Sequence, residues 1–257
     1  MNRVIFGDNL AALAKLPSES VDLIYIDPPF NTGKVQTRTY KDGTTRSFDD
    51  SFEDFPAFIE PRIKEAHRLL KPNGSFYFHL NYIEIHYSKV LIDTIFGREN
   101  FVNEVIWAYD YGARTKSRWP AKHDNILFYA KNADDYVFNV EDIDRIPYMA
   151  PGLCGPEKAE KGKLPTDTWW LTIVSPTGKE KLGYPTQKPI KLLERIITAS
   201  SPKGGLVLDF FAGSGTTGHA ALNLGRKFIL VDNSSEAITV MKKRFAGRDD
   251  VVFEEVA

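Results

Sequence analysis

A short acidic motif with two prolines is the first feature of the sequence that could do chemistry. Asp27, Pro28, Pro29 and Phe30 follow the apolar run of residues 21–26, so Asp27 is expected at the carboxyl end of a buried strand, where ligands bind in open α/β sheets. The Asp27 carboxylate and the Pro28 carbonyl can each accept a hydrogen bond, and the prolines pre-orient both acceptors. Phe30 offers a flat face for stacking. This combination predicts a pocket for the exocyclic amine of a planar base.

A glycine-rich loop late in the chain is the second such feature. Residues 206–218 read as a strand, a loop that contains Gly213 and Gly215, and the start of a helix. Asp232 ends the next strand, 19 positions after Gly213, where nucleotide-binding folds carry a ribose-binding carboxylate. The pattern suits both NAD and S-adenosylmethionine. Carboxylates beside the loop, Asp209 among them, would repel a pyrophosphate and attract a sulfonium, which favours S-adenosylmethionine.

The elements that must position these two features alternate between strand and helix patterns. Strands are expected over residues 3–6, 21–26, 75–80, 104–109, 125–130, 206–209, 227–231 and 251–254, and helices over residues 9–16, 55–70, 83–96, 189–200, 216–224 and 235–245. Such alternation predicts an α/β fold with a doubly wound, mostly parallel sheet. The polar segment 31–52 is expected to be a long mobile loop.

The composition is that of a globular protein and excludes several classes. The 257 residues carry 33 Lys and Arg against 34 Asp and Glu, for a net charge of −1, so any contact with nucleic acid must come from a local patch. The single cysteine excludes an internal disulfide and a cysteine-based metal cluster, and the spacing of the five histidines indicates no metal site. The sequence has neither a signal-peptide pattern nor a membrane-spanning apolar run. A cytoplasmic protein without membrane contact is therefore expected.

Together the two features resemble those of the DNA amino-methyltransferases. The order is similar to that of the permuted beta group of this family, because the catalytic motif at Asp27–Phe30 precedes the cofactor motif at Phe211–Gly215. Further matches are Gly7-Asp8, the segment 184–189 and the segment 123–131. The resemblance covers nearly the whole chain apart from residues 132–183.

The resemblance implies a fold and a division of the chain. The fold is the sheet of S-adenosylmethionine-dependent methyltransferases, circularly permuted, with a small irregular target-recognition lobe. Residues 1–131 would form the catalytic half of the methyltransferase domain, residues 132–183 the lobe, and residues 184–257 the cofactor-binding half. Members of the beta group are often dimers, and a homodimer would help to span a duplex.

The resemblance also implies roles for individual residues. Asp27 and the Pro28 carbonyl hold the target amine, and Phe30 stacks on a base that has left the duplex. Asp8 meets the cofactor adenine and Lys188 the methionine carboxylate, although Asp8 could instead cap a helix and Lys188 could be a solvated residue. The other implied cofactor-binding residues are Asp209, Phe211, Ala212, Gly213, Ser214, Gly215, Thr216, Asp232 and Asn233.

The implied reaction is the transfer of a methyl group from S-adenosylmethionine to the exocyclic amine of a base in double-stranded DNA. Asp at the first motif position usually goes with adenine N6 in this family, whereas cytosine-N4 enzymes more often carry Ser. Adenine is therefore favoured, with cytosine N4 as the alternative. From a different class, an NAD-dependent oxidoreductase would explain the glycine loop and Asp232 and would leave Asp27–Phe30 unexplained. A catalytically silent DNA-binding protein is disfavoured because both motifs are intact.

A basic loop is the expected DNA contact, through phosphates or base edges, with an ordinary solvated loop as the alternative. Its residues are Arg114, Lys116, Arg118, Trp119 and Lys122. Sequence recognition is expected from the lobe of residues 132–183, in which Trp169 and Trp170 are interpreted as hydrophobic anchors.

Overall fold

The computed structural model describes residues 2–39, 45–110, 114–175 and 177–256. The strands are β1 (Asn2–Phe6), β2 (Val21–Ile26), β3 (Lys34–Thr39), β4 (Thr45–Asp50), β5 (Leu70–Leu80), β6 (Phe101–Ala108), β7 (His123–Ala130), β8 (Thr168–Trp170), β9 (Leu206–Asp209), β10 (Lys227–Asp232) and β11 (Val251–Glu255). The helices are α1 (Asn9–Leu13), α2 (Phe55–Leu69), α3 (Ile85–Phe96), α4 (Pro156–Lys161), α5 (Ile190–Ser200), α6 (Thr216–Asn223) and α7 (Ser235–Arg244). Each strand and helix predicted from the sequence is present, with some ends shifted by a few residues.

The main sheet is mostly parallel, as predicted. Its nine described strands lie in the order β11-β1-β10-β9-β2-β5-β7-β6-β8. Every neighbouring pair is parallel except the two pairs that β7 makes with β5 and β6. Because β7 alone runs in the opposite direction, β2, β5, β6 and β9 all end at one edge of the sheet, called the carboxyl edge below.

Helices cover both faces of the sheet, which confirms the doubly wound architecture. The alternation of side chains along β2 shows this directly, because Ile24 and Ile26 pack into one core cluster and Leu23 and Tyr25 into the other. The first cluster receives apolar residues from α1, α2 and α3, and the second from α5, α6 and α7. All six residues of β2 are buried, as expected of a strand covered on both faces.

The pairing of β2 with β9 brings the two chemical motifs together. Leu23 lies opposite Val207 and Ile24 opposite Leu208, although the two strands come from opposite ends of the chain. The loops after these parallel strands therefore begin side by side at the carboxyl edge. This is the position where the strand order reverses and where open α/β sheets bind their ligands.

The prediction of a mobile loop over residues 31–52 is wrong for the residues that the structure describes. β3 and β4 form an antiparallel hairpin, and residues 40–44 between them lie outside the described residues. The base of the hairpin is held by Asp50, whose buried carboxylate accepts hydrogen bonds from the backbone N–H groups of Asn31 and Thr32 at 3.0 and 3.2 Å. The sequence does contain a hairpin signal, the dipeptide Asp42-Gly43 between two runs that contain Val, Thr, Tyr and Phe. The polar residues of this segment led to its interpretation as a loop.

The segment of residues 132–183 packs against the rest of the chain at several points. β8 extends the sheet alongside β6, and the Asn139 amide donates to the carbonyl oxygens of Thr198 and Ser201 at 2.8 and 2.9 Å. Trp169 packs on the second core cluster, as its interpretation as an anchor requires, but Trp170 is 76% exposed. Trp170 is not an anchor, because neighbouring residues of a strand point to opposite faces. The division of the chain at residues 131 and 183 stays a prediction.

None of the described helices has the length and apolar character needed to cross a membrane.

Asp209, the last residue of β9, is a buried carboxylate that shapes the glycine loop. Its oxygens accept hydrogen bonds from the Thr217 hydroxyl at 2.6 Å and from the Phe211 N–H at 3.0 Å. Burial raises the pKa of Asp209 to about 7. These two hydrogen bonds oppose the rise, and the negative charges of Asp27 and Asp232 add to it. The folded protein therefore holds a proton on Asp209 at pH values where the unfolded chain has released it.

This proton makes the stability of the fold depend on pH in a defined direction. Its contribution is complete below about pH 4 and is lost as the pH rises through the folded-state pKa. The variant Asp209→Asn keeps the shape of the side chain and cannot ionise. We expect its free energy of unfolding, relative to that of the parent protein, to rise by a few kcal/mol between pH 4 and pH 8, at roughly 1.4 kcal/mol per unit of pKa shift. Urea unfolding at a series of pH values measures this difference.

The matched control is Asp249→Asn, which alters an exposed carboxylate. Its difference from the parent protein should stay flat over the same pH range. Parallel pH curves for Asp209→Asn and Asp249→Asn would show that Asp209 is already ionised in the folded protein.

Candidate active site

The catalytic motif predicted from the sequence lies directly after β2, at the carboxyl edge. The side chain of Asp27 is 14% exposed, and its Oδ2 atom forms an ion pair with the ammonium group of Lys188. The other oxygen, Oδ1, is buried and has no hydrogen-bond partner among the described residues. A buried carboxylate oxygen without a partner lowers the stability of the fold. Such an atom is typical of a site where a ligand supplies the hydrogen-bond donor.

The backbone of the motif is fixed by contacts on its far side. Pro28 is buried, and the carbonyl oxygen of Phe30 accepts a hydrogen bond from the Asn81 amide at 3.3 Å. The next residue, Asn31, has a φ of +51°, in the left-handed region that residues with a side chain seldom adopt. Its amide nitrogen donates to Glu84 at 2.8 Å. The chain therefore turns sharply after Phe30, and the Phe30 side chain stays half-buried.

Lys188 is not a solvated residue, so that alternative is wrong. Its side chain is 12% exposed. Its ammonium group forms the ion pair with Asp27 and lies 5.1 Å from the centre of the Phe30 ring. The segment that carries Lys188 also reaches the glycine loop, because Tyr184 packs against Gly213. The structure thus brings Lys188 to the catalytic motif, on a segment that also reaches the glycine loop.

The glycine loop adopts a conformation that needs glycine at two positions. Gly213 has a φ of +49° and Gly215 a φ of +72°. A Cβ atom at Gly215 would lie 2.7 Å from the side chain of Met241, and one at Gly213 would lie 3.0 Å from the Tyr184 ring. These side chains hold the loop closely, and its backbone at the carboxyl edge is called the glycine cradle below.

Asp232 fixes the other side of this cradle. Its Oδ2 accepts a hydrogen bond from the Gly213 N–H at 2.7 Å and its Oδ1 one from the Ser234 N–H at 2.9 Å. Burial raises the pKa of Asp232, and the two backbone hydrogen bonds oppose the shift. Each carboxylate oxygen keeps a second lone pair, so Asp232 can still accept a hydrogen bond from a hydroxyl group of a ribose.

Asp8 caps a helix, as one reading of the sequence predicted. Its carboxylate accepts a hydrogen bond from the Ala11 N–H at 3.0 Å at the start of α1. The side chain remains 56% exposed, and its second oxygen lies 3.8 Å from Arg62. Capping is therefore confirmed, and the role of Asp8 at a cofactor adenine stays a prediction.

A buried hydrogen-bonded network beneath the motif was missed by the sequence analysis. The hydroxyl of Tyr25 lies 2.7 Å from Nδ1 of His79, Nε2 of His79 lies 3.3 Å from Asp124, and Tyr109 donates to Asp124 at 3.2 Å. The ring of His79 packs 6.0 Å from that of Phe30. Polar residues inside otherwise apolar strands, His79 in β5 and Asp124 in β7, were the available signal.

Burial and the charges around the site determine which groups of this network carry a proton. Burial raises the pKa of Tyr25 well above its ordinary value, and the charges of Asp27, Asp209 and Asp124 add to the rise. Burial would also raise the pKa of Asp124, but His79, Lys188 and Tyr109 lower it to a net value below the ordinary one. Tyr25 therefore stays protonated, and the ring of His79 connects its hydroxyl to the Asp124 carboxylate through both ring nitrogens. The network links the strands β2, β5 and β7 and the residue that follows β6, behind Phe30.

The predicted DNA contacts lie in the loop between β6 and β7, on the same edge of the sheet. Arg114, Lys116 and Arg118 are exposed, Trp119 is 93% exposed and Lys122 is half-buried. Residues 111–113 of this loop lie outside the described residues. The exposed Trp170 is close by, because it pairs with Ala108 at the end of β6. Basic and aromatic side chains therefore extend from the carboxyl edge that carries Asp27.

Within the described residues, no group of three or more His, Cys, Asp or Glu side chains is arranged to hold a metal ion.

Solved structures of DNA methyltransferases share this fold. The cytosine-N4-specific PvuII DNA methyltransferase superposes with a TM-score of 0.71 at 21% identity, covering 97% of this chain and 88% of that one. The M1.HpyAVI–SAM complex superposes with a TM-score of 0.66 at 25% identity, covering 96% of this chain and 100% of that one.

Sequence comparisons lead to the same family. The DNA adenine methyltransferase YhdJ of Escherichia coli (strain K12) is 35% identical over 99% of this chain and 86% of its own length. The type II methyltransferase M.HpaI of Haemophilus parainfluenzae is 32% identical over 97% of this chain and 77% of its own length. The family model for DNA methylase matches residues 21–243, which include both chemical motifs. The chain therefore belongs to the DNA methylase family.

Proposed function

We propose that this enzyme transfers a methyl group from S-adenosylmethionine to the N6 amine of an adenine in double-stranded DNA. The observation that carries the proposal is the Asp27 carboxylate, which follows the strand next to that of the glycine loop and has a buried oxygen without a partner among the described residues. The similarity to YhdJ, a DNA adenine methyltransferase, supports both the substrate class and the base. The alternative base is cytosine, methylated at N4, since the PvuII enzyme of similar fold acts on cytosine.

The residues around the glycine loop fit S-adenosylmethionine better than NAD. Asp27, Asp209 and Asp232 lie near one another at the cradle, and burial together with the charges of Asp27 and Asp232 raises the pKa of Asp209. A pyrophosphate would add negative charge to this cluster, whereas a sulfonium and an ammonium group would balance it. The M1.HpyAVI structure holds SAM in the same fold. The residues proposed to hold the cofactor are Asp8, Lys188, Asp209, Phe211, Ala212, Gly213, Ser214, Gly215, Thr216, Asp232 and Asn233.

The geometry of the motif leads to a mechanism of orientation and charge balance. When bound, S-adenosylmethionine supplies an electrophilic methyl group on a positively charged sulfur. Asp27 and the Pro28 carbonyl accept the two N–H groups of the target amine, and Phe30 stacks on the base, so that the nitrogen lone pair faces the methyl carbon. The N–C bond forms as the S–C bond breaks. The resulting cationic amine is stabilised by the Asp27 carboxylate and then loses a proton to water.

The DNA substrate is proposed to lie along the carboxyl edge. Four cations with two exposed tryptophans offer contacts to phosphates and stacking surfaces for bases. These residues are Arg114, Lys116, Arg118, Trp119, Lys122 and Trp170. A genomic DNA substrate also supports the cytoplasmic location predicted from the sequence. The homodimer stays a prediction.

The identity of the methylated base tests the proposal most directly. Unmethylated duplex DNA is incubated with the protein and S-adenosylmethionine and digested, and its nucleosides are analysed by mass spectrometry. We expect N6-methyladenine, because of the Asp at position 27. N4-methylcytosine would keep the fold and the mechanism and overturn the assignment of the base. A complete absence of methylated bases would contradict the proposed function.

Removing the carboxylate of the motif should separate catalysis from cofactor binding. We expect Asp27→Ala to lower kcat by at least about a hundredfold, because both orientation and charge stabilisation are lost. Calorimetric titration should show that S-adenosylmethionine still binds no more weakly than to the parent protein. Asp249→Ala, at an exposed carboxylate, is the control and should leave both quantities unchanged. Comparable turnover in Asp27→Ala would remove Asp27 from the chemistry.

Charge reversal in the basic loop tests the DNA surface. We expect Arg118→Glu to weaken duplex binding and to reduce by about one or two the slope of log affinity against log salt concentration. The control is Lys15→Glu, which reverses an exposed charge after α1, at the opposite edge of the sheet. Fluorescence anisotropy at several salt concentrations measures both variants. Equal effects of the two substitutions would show that the basic loop does not bind DNA.

A further inference from the structure

Lys188 covers both groups that the proposed function assigns to the target base. Its ammonium is paired with Oδ2 of Asp27, the expected acceptor of the target amine, and lies 5.1 Å from the centre of the Phe30 ring, the expected stacking surface. The two paired side chains are 12% and 14% exposed. A base that stacks on Phe30 and donates to Asp27 must therefore replace the ammonium of Lys188.

The second oxygen of Asp27 offers no way around this ammonium. Oδ1 can accept a hydrogen bond, but it is a buried atom, so a donor reaches it only after the side chain that covers the carboxylate, Lys188, has moved. A lysine left beside the amine would also oppose catalysis, because the amine becomes a cation as it accepts the methyl group. Both arguments require Lys188 to leave Asp27 before the reaction.

The cofactor carries the group that can draw Lys188 away. Its methionine part ends in a carboxylate, and neither Asp209 nor Asp232, at the ends of β9 and β10, can balance that negative charge. Arg244 donates to the Ser214 carbonyl of the glycine loop at 2.6 Å, whereas Lys188 is the cation paired with the catalytic motif, and its segment reaches the same loop through Tyr184, which lies against Gly213. The exchange of one carboxylate partner for another needs movement of a single flexible side chain.

We propose that Lys188 occupies the site of the target amine in the cofactor-free enzyme and moves to the cofactor carboxylate when the cofactor binds. Cofactor binding thereby uncovers Asp27 and Phe30, and the enzyme captures its target base after the cofactor. This inference rests on the proposed function. It adds that binding of the cofactor and binding of the base are coupled through one lysine, and such coupling is reciprocal.

Two cofactor analogues test the exchange without DNA. S-adenosylhomocysteine retains the carboxylate and lacks the reactive methyl group, whereas methylthioadenosine lacks the whole amino-acid part. We expect Lys188→Met to weaken binding of S-adenosylhomocysteine about tenfold or more and to leave binding of methylthioadenosine within about twofold, as measured by calorimetry. Lys191→Met, at an exposed lysine of α5, is the matched control and should alter neither affinity. Equal weakening of both analogues by Lys188→Met would contradict the exchange.

A double-mutant cycle identifies Asp27 as the other partner of Lys188. The variant Asp27→Asn removes the negative charge that holds the lysine, so we expect it to tighten S-adenosylhomocysteine binding about tenfold in the parent background. In the Lys188→Met background the same substitution should leave the affinity unchanged. Additive effects would show that the two side chains act independently and would overturn the proposal.

A final measurement connects the exchange to the base. With a duplex that the enzyme has been shown to methylate, S-adenosylhomocysteine should tighten DNA binding by the parent protein and by Lys191→Met, but not by Lys188→Met. Methylthioadenosine should not tighten it in any of them. A methylating enzyme whose coupling survives Lys188→Met would refute the exchange and leave the proposed function intact. An enzyme that methylates no DNA would instead fail the earlier nucleoside analysis.

Discussion

The pairing of β2 with β9 is the constraint on which the rest of the site depends. The two strands come from opposite ends of the chain, and their parallel register, with Ile24 opposite Leu208, makes the loops after them leave the sheet together. The catalytic motif and the glycine cradle then lie side by side at the reversal point of the strand order. The chemistry depends on this adjacency and is independent of which strand comes first in the chain. A permuted order of motifs is therefore compatible with the same active site.

Three carboxyl groups lie close together at this edge of the sheet, and each of them has different partners. Asp209 is buried with a pKa raised to about 7 and is held by a hydroxyl and a backbone N–H. Asp232 receives two backbone N–H groups. Asp27 receives the ammonium of Lys188. The carboxyl groups that remain ionised here favour a positively charged ligand, because a further anion beside them would raise the electrostatic cost.

The sequence predicted the elements and the motifs, whereas it missed the partners that tertiary structure supplies. β2 and β9 matched their predicted bounds, and the glycine loop was found because its signals are local: an apolar run, glycines and a helix start. The hairpin of β3 and β4 was missed because its strands are short and polar, so that only pairing defines them. His79 and Asp124 lie far apart in the chain, and no local pattern reports that their side chains meet. The contact of Lys188 with Asp27 was missed for the same reason, because the lysine precedes a different element.

The ion pair between Lys188 and Asp27 is better understood as an exchangeable contact than as a stabilising one. Two charges sheltered from water lose hydration that their attraction only partly replaces, so such pairs are poor contributors to stability. Leaving one charge of such a pair alone is worse, at about 3–5 kcal/mol. A carboxylate that must receive a substrate amine cannot have a permanent buried partner, yet it cannot remain unpaired in the empty enzyme. A lysine on a flexible stem satisfies both conditions, because it neutralises Asp27 until another carboxylate enters the pocket and can be withdrawn without disturbing the fold.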